Sequence, residues 1–558
     1  MPLFISLLAS VALNAPQPVV AKHGIVASSS SIASQVGVDI MKEGGNAIDA
    51  ACAVGFALAV THPAAGNLGG GGFMLIRLAN GLAVTVDYRE IAPLAARSTM
   101  YQDEQGNVVP GLSLVGYKAS GVPGTVAGLA LAHAHFGHLP WKAVLEPARV
   151  LAEKGFPVSK SLAIELRAAS NLPQFPESKR IFLKGGAYYK AGEIFRQPDL
   201  ANTIARLQAS PSDFYTGKTA RLIAKAMAGK GLITLADLKS YQPVERQPLE
   251  GSYRGYTVLS MPPPSSGGIA LIEMLNMLEH YDLAASGAGT AKTDHLLVEA
   301  MRHAFADRAE FLGDPAFTKV PVKGLTSKKY AETLLATLDD SKATPSSEVG
   351  HGAPPVTESH QTTHFSVVDS QGNAVSNTYT LNFGFGSGVT VPGAGFLMND
   401  EMDDFTSKVG VPNGFGLIQG TANDIQPKKR PLSSMTPTIV TRNGKLYMVI
   451  GSPGGPTIIT TVLQVISNVI DHHMNIAQAI AAARIHHQWL PDRIDNETDA
   501  LSEAVYESLI GMGYTITHGP KPEHAYWGDA EGILVDSARK ALTGASDPRT
   551  RDAAAVGY

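Results

Sequence analysis

Apolar positions recur at helical spacing from Ser31, behind a serine cap, and stop at Gly44-Gly45; a second, more continuously apolar stretch runs from Ala47 to Val60. This predicts two helices feeding a sheet. The pattern then changes to period two. Gly72 to Leu78 and Leu82 to Val86 flank Asn80-Gly81, whose positive φ values suit a tight hairpin turn, and Arg89 emerges just past the second strand. From about Gly124 to Tyr330 helical periodicity dominates, as in Leu271 to Leu278 and His295 to Phe311, punctuated by the Pro262 to Gly268 turn. Between Ser341 and Gln361 periodicity is lost in a Pro, Ser, Thr, His and Gly stretch that reads as an exposed connector. A second hairpin follows, Thr362 to Val368 and Ala374 to Leu381. Centring its turn on Gln371 pairs Thr362 with Thr380 and His364 with Thr378, so that Thr362, His364, Ser366, Ser376, Thr378 and Thr380 share one polar face. A third, Thr438 to Thr441 and Leu446 to Ile450 around Asn443-Gly444, runs into Gly451 to Pro456 and an apolar helix through Ile470. Hairpins interspersed with helix pairs point to an antiparallel sheet sandwich covered by helices, not to a βαβ repeat.

Composition narrows the function classes. The 558 residues are 44% hydrophobic and 17% charged, which suits a globular chain, and the net charge of −4 offers no basic excess for nucleic acid or an anionic bilayer. The single cysteine, Cys52, excludes an intrachain disulfide framework and cysteine-based metal clusters, and its apolar neighbours predict a core position. The apolar run Leu3 to Leu13 followed by small residues has the form of a secretory signal without its basic start. It is too short to span a bilayer, and no later segment reads as a membrane helix.

The chemistry is found by elimination. His472-His473 and His486-His487 lack the spacing that converges on one ion, so no metal is expected. The Gly69 to Gly72 run precedes a strand and lacks the Gly-Lys-Ser/Thr of a phosphate cradle, which leaves close backbone packing as its reading. There is no Gly-x-Ser-x-Gly elbow. Thr362 remains, at the boundary of connector and strand. A threonine hydroxyl needs an adjacent base, and a freed α-amine on the same residue, titrating near ~7.7 to 8.0, would supply one. On residues alone, an ordinary strand threonine is the commoner reading, and the catalytic one stays open beside it.

Thr61-His62-Pro63 through Arg89-Glu90, Gln361-Thr362-Thr363-His364, Arg430 to Met435, Gly451 to Gly455 and Gly544 to Arg549 together resemble the γ-glutamyltransferase (γ-glutamyltranspeptidase) family of N-terminal nucleophile hydrolases, over nearly all of the chain from Ala21 to Tyr558. The resemblance implies an α+β fold, a four-layer αββα sandwich. It also implies a precursor that cleaves itself at Gln361-Thr362 into a large subunit, 21–361, and a small catalytic subunit, 362–558, after a possible signal peptide, 1–20. Carried over residue by residue, Thr362 is the nucleophile and Thr380 its partner, the residue that the hairpin register independently places across from it. Gly454 and Gly455 form the oxyanion hole. Arg89, Ser433 and Ser434 hold the substrate α-carboxylate; Asp404, helped by Asn382 and Glu401, holds the α-ammonium. Taken alone, Arg89 would more often pair with Asp87 or Glu90 at a surface, and Asp403-Asp404 would be a solvated pair. At Glu401 the family carries Gln or Glu. In the lid-like loop Val411 to Leu417, Phe415 stands where relatives often have Tyr. The implied activity is γ-glutamyl transfer and hydrolysis on glutathione and related amides, with amino acids or dipeptides as acceptors and no cofactor; the signal-like start points to a periplasmic or secreted location. The competing expectations are a glutaryl (cephalosporin-type) acylase and an unprocessed binding protein of the same fold.

Overall fold

The computed structural model describes residues 16–349, 362–517 and 527–558. The Leu3 to Leu13 stretch, the end of the connector and Gln361 lie outside them. Two seven-stranded sheets, antiparallel throughout, form the centre. In spatial order the first runs Ala554–Gly557, Ile25–Ser28, Thr363–Val368, Ala374–Thr380, Gly71–Arg77, Ala83–Asp87, Val244–Arg246. The second runs Val19–Ala21, Ala541–Ser546, Glu531–Asp536, Lys445–Gly451, Thr438–Arg442, Tyr256–Ser260, Leu249–Tyr253. Helices Ser31–Lys42 and Ala47–Thr61 cover the outer face of the first sheet, and Gly267–Leu278, Ala291–Phe311 and Thr457–Ile470 that of the second, giving the four-layer αββα sandwich.

Local sequence explains these elements. Ser30 caps its helix through the Ala33 amide, and Asn46 and Asp49 form a reciprocal capping box on the next. That second helix is buried on every face, Cys52 included, which pushes the thiol pKa up and leaves it a small core residue. Asn443 and Gly444 both take positive φ, as the tight turn requires. The middle of the chain, where helical periodicity dominates, also contributes three strands to the two large sheets and four two-residue strands between Phe156 and Phe195. Its Leu249–Tyr253 and Tyr256–Ser260 hairpin turns on Arg254-Gly255, both at positive φ, a turn whose first residue carries no Asn or Asp signal.

The two halves of the inter-sheet layer differ. One is apolar, with Ile25, Leu75, Ile439, Val449 and Ile533 interdigitating. The other is polar: His364 Nδ1 is 2.8 Å from Thr378 Oγ1, Ser366 donates to the Glu531 carbonyl and Ser376 to that of Ile450. The register is the expected one, with Thr363 opposite Tyr379 and His364 opposite Thr378, so Phe365 and Val367 face the helical core on the other side. The connector is less loose than expected where it is described, because buried Ser346 accepts from Arg302 and donates to the Trp489 carbonyl. Among the described residues no helix is long and apolar enough to cross a membrane.

The glycine run is packing, as expected. A Cβ at Gly70 would lie 2.0 Å from the Thr380 carbonyl oxygen, whereas at Gly324 it would meet nothing within 4 Å. Gly70→Ala is therefore expected to cost at least about 3 kcal/mol in chemical denaturation, and Gly324→Ala to stay within about 1 kcal/mol of the parent, on the stabilising side. Equal effects would show that the approach of this loop to Thr380 is slack.

Candidate active site

Thr362 immediately precedes the first strand of the central hairpin and is 5% exposed; the Thr380 hydroxyl donates to its Oγ1 at 3.3 Å. The Asn382 amide in turn donates to Thr380 Oγ1 at 2.8 Å, fixing that hydroxyl from behind. Asn382 itself sits at φ 85°, and its side-chain amide donates to the Asp400 carbonyl at 3.1 Å rather than to Asp404.

Around this pair one cavity is lined by Arg89, Asn382, Glu401, Asp404, Phe415, Ser433, Ser434 and Gly455 together with Thr362 and Thr380. Gly454 stands next in chain, behind Gly455. The two glycines take φ 135° and 56° at the start of the Thr457–Ile470 helix, and a Cβ on Gly454 would strike Thr457 Oγ1 at 2.3 Å. Among the described residues neither glycine amide has an acceptor, so two N–H groups at a helix N-terminus remain available to a developing oxyanion. A larger surface groove, about 770 Å³, lies between Pro18, Arg442 and Arg539 and contains none of these residues.

Arg89 is fully buried, which overturns the surface pairing expected of it in isolation. Its backbone amide donates to Asp87, while the Asp87 carboxylate is taken by Arg246 and Arg430. The guanidinium instead pairs with Glu401 and Asp404, donates through Nε to the Pro431 carbonyl, and has Glu90 3.7 Å away. Burial works against its charge, but Glu401 and Asp404 outweigh that and hold it protonated above the ordinary range. Burial likewise raises the carboxyl pKa values of Glu401 and Asp404, with Arg89 opposing, and pushes Glu90 up to about 8. Asp403, expected with Asp404 as a solvated pair, is also buried and accepts from Ser113 and the Gly414 amide.

The loop bearing Phe415 is closed. Phe415 is 3% exposed and stacks on Phe383 with centroids 4.6 Å apart, and lid residue Asn413 reaches Asp404 Oδ1 at 3.4 Å. Only about 20 Å³ remains beneath it, room for roughly one water and far too little for an amino-acid head group. Such a group would fit only if this loop lifted and the ion pairs on Arg89 rearranged.

Two contributors escaped the sequence reading, and a third, Glu90, was read only as a surface partner of Arg89; its burial without any hydrogen-bond donor is visible only in three dimensions. Arg308 reaches Ser434 from a distant helix. Asn413, whose Oδ1 accepts from the Phe415 and Leu417 amides, shapes the lid, an Asx turn that Asn413-Gly414 could have signalled.

A threonine heading a central strand of an αββα sandwich, with a second hydroxyl aligned on it, is an arrangement of the N-terminal nucleophile hydrolases. The solved cephalosporin acylase from Bacillus halodurans superposes with a TM-score of 0.85 at 28% identity, covering 97% of both chains. The Helicobacter pylori gamma-glutamyltranspeptidase structure is 48% identical with a TM-score of 0.57, covering 58% of this chain and 93% of that one. In sequence, the glutathione hydrolase proenzyme of Escherichia coli (strain K12) is 49% identical over 545 residues, 97% of this chain and 93% of the relative. Residues 33–557 match the Gamma-glutamyltranspeptidase family model, and the chain belongs to that family.

Removing the guanidinium would strand two or three buried carboxyls. Arg89→Ala is expected to destabilise by about 3 to 5 kcal/mol near pH 8. Those carboxyls bind protons more tightly folded than unfolded, so the deficit grows as pH rises from about 4.5 through their raised folded values and shrinks on acidification. Denaturation of both proteins at pH 5 and pH 8 checks this; a pH-independent deficit would mean that the carboxyls find other partners.

Proposed function

We propose that the chain is a self-processing γ-glutamyltransferase and glutathione hydrolase whose nucleophile is Thr362. Cleavage of Gln361-Thr362 yields subunits 21–361 and 362–558 and frees the Thr362 α-amine. The hydroxyl attacks the γ-carbonyl of glutathione or a related γ-glutamyl amide while the amine accepts its proton. Thr380 orients the attacking oxygen, Gly454 and Gly455 donate to the tetrahedral oxyanion, and the amine returns the proton to the leaving nitrogen. Water, or the amine of an amino acid or dipeptide, then releases the acyl group. Acyl transfer of this kind needs a nucleophile, a base and dipoles, and no cofactor enters it. The apolar Leu3 to Leu13 stretch supports export to the periplasm or medium.

The observation that carries the reading is the 3.3 Å approach of Thr380 Oγ1 to Thr362 Oγ1 inside a cavity holding both a buried guanidinium and buried carboxylates. Such a pocket fits a zwitterion: the α-carboxylate takes over Arg89 with Ser433 and Ser434, and the α-ammonium takes Asp404 and Glu401, so each charge exchanges one partner for another. The same observation weighs against a glutaryl acylase, whose substrate would leave both acids without a cation.

Purified protein is expected as two chains, the shorter beginning at Thr362, and Thr362→Ala as one inactive chain, read by intact mass. The processed enzyme should turn over a γ-glutamyl anilide at least about tenfold more efficiently than a glutaryl anilide, given about 1.5 to 3 kcal/mol for a charged hydrogen bond. A preference for the glutaryl compound would favour the acylase, and full activity in an uncut chain would remove the proposed base.

A further inference from the structure

Resting on that reading of the pocket, we propose that Arg308 is a second positioning residue for the glutamyl α-carboxylate, acting through Ser434. Arg308 lies on the Ala291–Phe311 helix and is 2% exposed. Its Nε donates to Ser266 Oγ at 3.1 Å and its Nη2 to Ser434 Oγ at 3.3 Å, while Nη1 has no partner and no ion pair reaches the group among the described residues. A buried guanidinium without a counterion is costly, so a structural tie alone is a poor reason for one. The tie is also redundant: the Ser266 amide and hydroxyl already donate to the Ser433 carbonyl at 2.8 and 2.7 Å.

The direction of the Ser434 contact gives the charge a use. A serine hydroxyl has one proton. Because Ser434 Oγ accepts from Arg308, that proton is free to point into the cavity that Ser434 lines, where the carboxylate would sit. Guanidinium, hydroxyl and carboxylate would then form a polarised chain, with the Arg308 charge as a fixed positive potential behind it. Arg89 differs in kind. In the closed site it is already paired with Glu401 and Asp404, whereas Arg308 feels the Asp404 charge only at a distance and has no contact ion pair until a carboxylate arrives beyond Ser434. Burial lowers the Arg308 pKa to about 10, with Asp404 opposing, so the group is protonated at neutral pH.

The test uses processed enzyme and three anilide donors: γ-glutamyl, with both head-group charges; glutaryl, without the ammonium; and 4-aminobutanoyl, without the carboxylate. Arg308→Met is expected to raise KM roughly ten- to hundredfold for the first two with kcat changed only a few-fold, and to move KM for the third by less than about threefold. Arg308→Lys should recover part of the loss. Ser434→Ala, which needs no change in the helix, should give the same pattern, and the two substitutions together should be less than additive. Equal losses on all three donors, a loss confined to kcat, or full additivity with Ser434→Ala would overturn the proposal. Arg89→Gln, measured in parallel, separates the two failures. If it shifts donor preference while Arg308→Met does not, only the role of Arg308 falls; if neither does, the carboxylate pocket itself is misread.

Discussion

Side chains along a strand alternate with a period of two, so slipping Thr363–Val368 by one residue against Ala374–Thr380 would turn Thr362 away from Thr380. It would also drive Phe365 and Val367 into a layer of hydroxyls. The hairpin is pinned against such a slip from three directions. Ile25–Ser28 and Gly71–Arg77 pair with its two edges, and the second sheet accepts from Ser366 and Ser376 at fixed carbonyls. His364 fills the space opposite Gly451, where a Cβ would meet the ring at 2.2 Å. Burial pulls the His364 pKa down to about 3, so the imidazole is neutral and the inter-sheet layer carries no charge at that point. The alignment of the two threonine hydroxyls is thus a consequence of sheet register, not of a local turn.

On this rigid frame sits a cluster of opposed charges. One guanidinium is shared by Glu401 and Asp404 beside Glu90, and the closed lid keeps water from screening them. With substrate absent, Arg89 is satisfied by the acids of the site while Glu90 is left without a donor; under the proposed function a zwitterionic head group would take over the Arg89 contacts. The lid is joined to the same cluster through Asn413 and Gly414, which contact Asp404 and Asp403, so lid position and ion pairing are coupled.

Much of this was legible in the chain. Period two around a short turn fixed the register of the central hairpin, Asn-Gly marked two others, and the glycine run declared a close backbone approach. What could not be read is what depends on distance in sequence. Arg308 and Ser434 lie 126 positions apart, and the Ala291–Phe311 helix buries charged as well as apolar faces, so its polar residues look like a solvated surface until it is packed. Arg89 beside Asp87 and Glu90 invited a local ion pair. In the structure Asp87 turns to Arg246 and Arg430, and Arg89 to acids more than three hundred residues away. Long-range electrostatics, unlike strand periodicity, leaves no local pattern.

The central claim is that the acyl group is carried on the hydroxyl of Thr362. The direct measurement is rapid quenching of processed enzyme during turnover of a γ-glutamyl anilide, followed by peptide mass mapping of the small subunit. The account predicts a γ-glutamyl adduct confined to the peptide that begins at Thr362, lost on longer incubation and on addition of an acceptor amine. An adduct on any other side chain, formed and discharged at the rate of turnover, would contradict it.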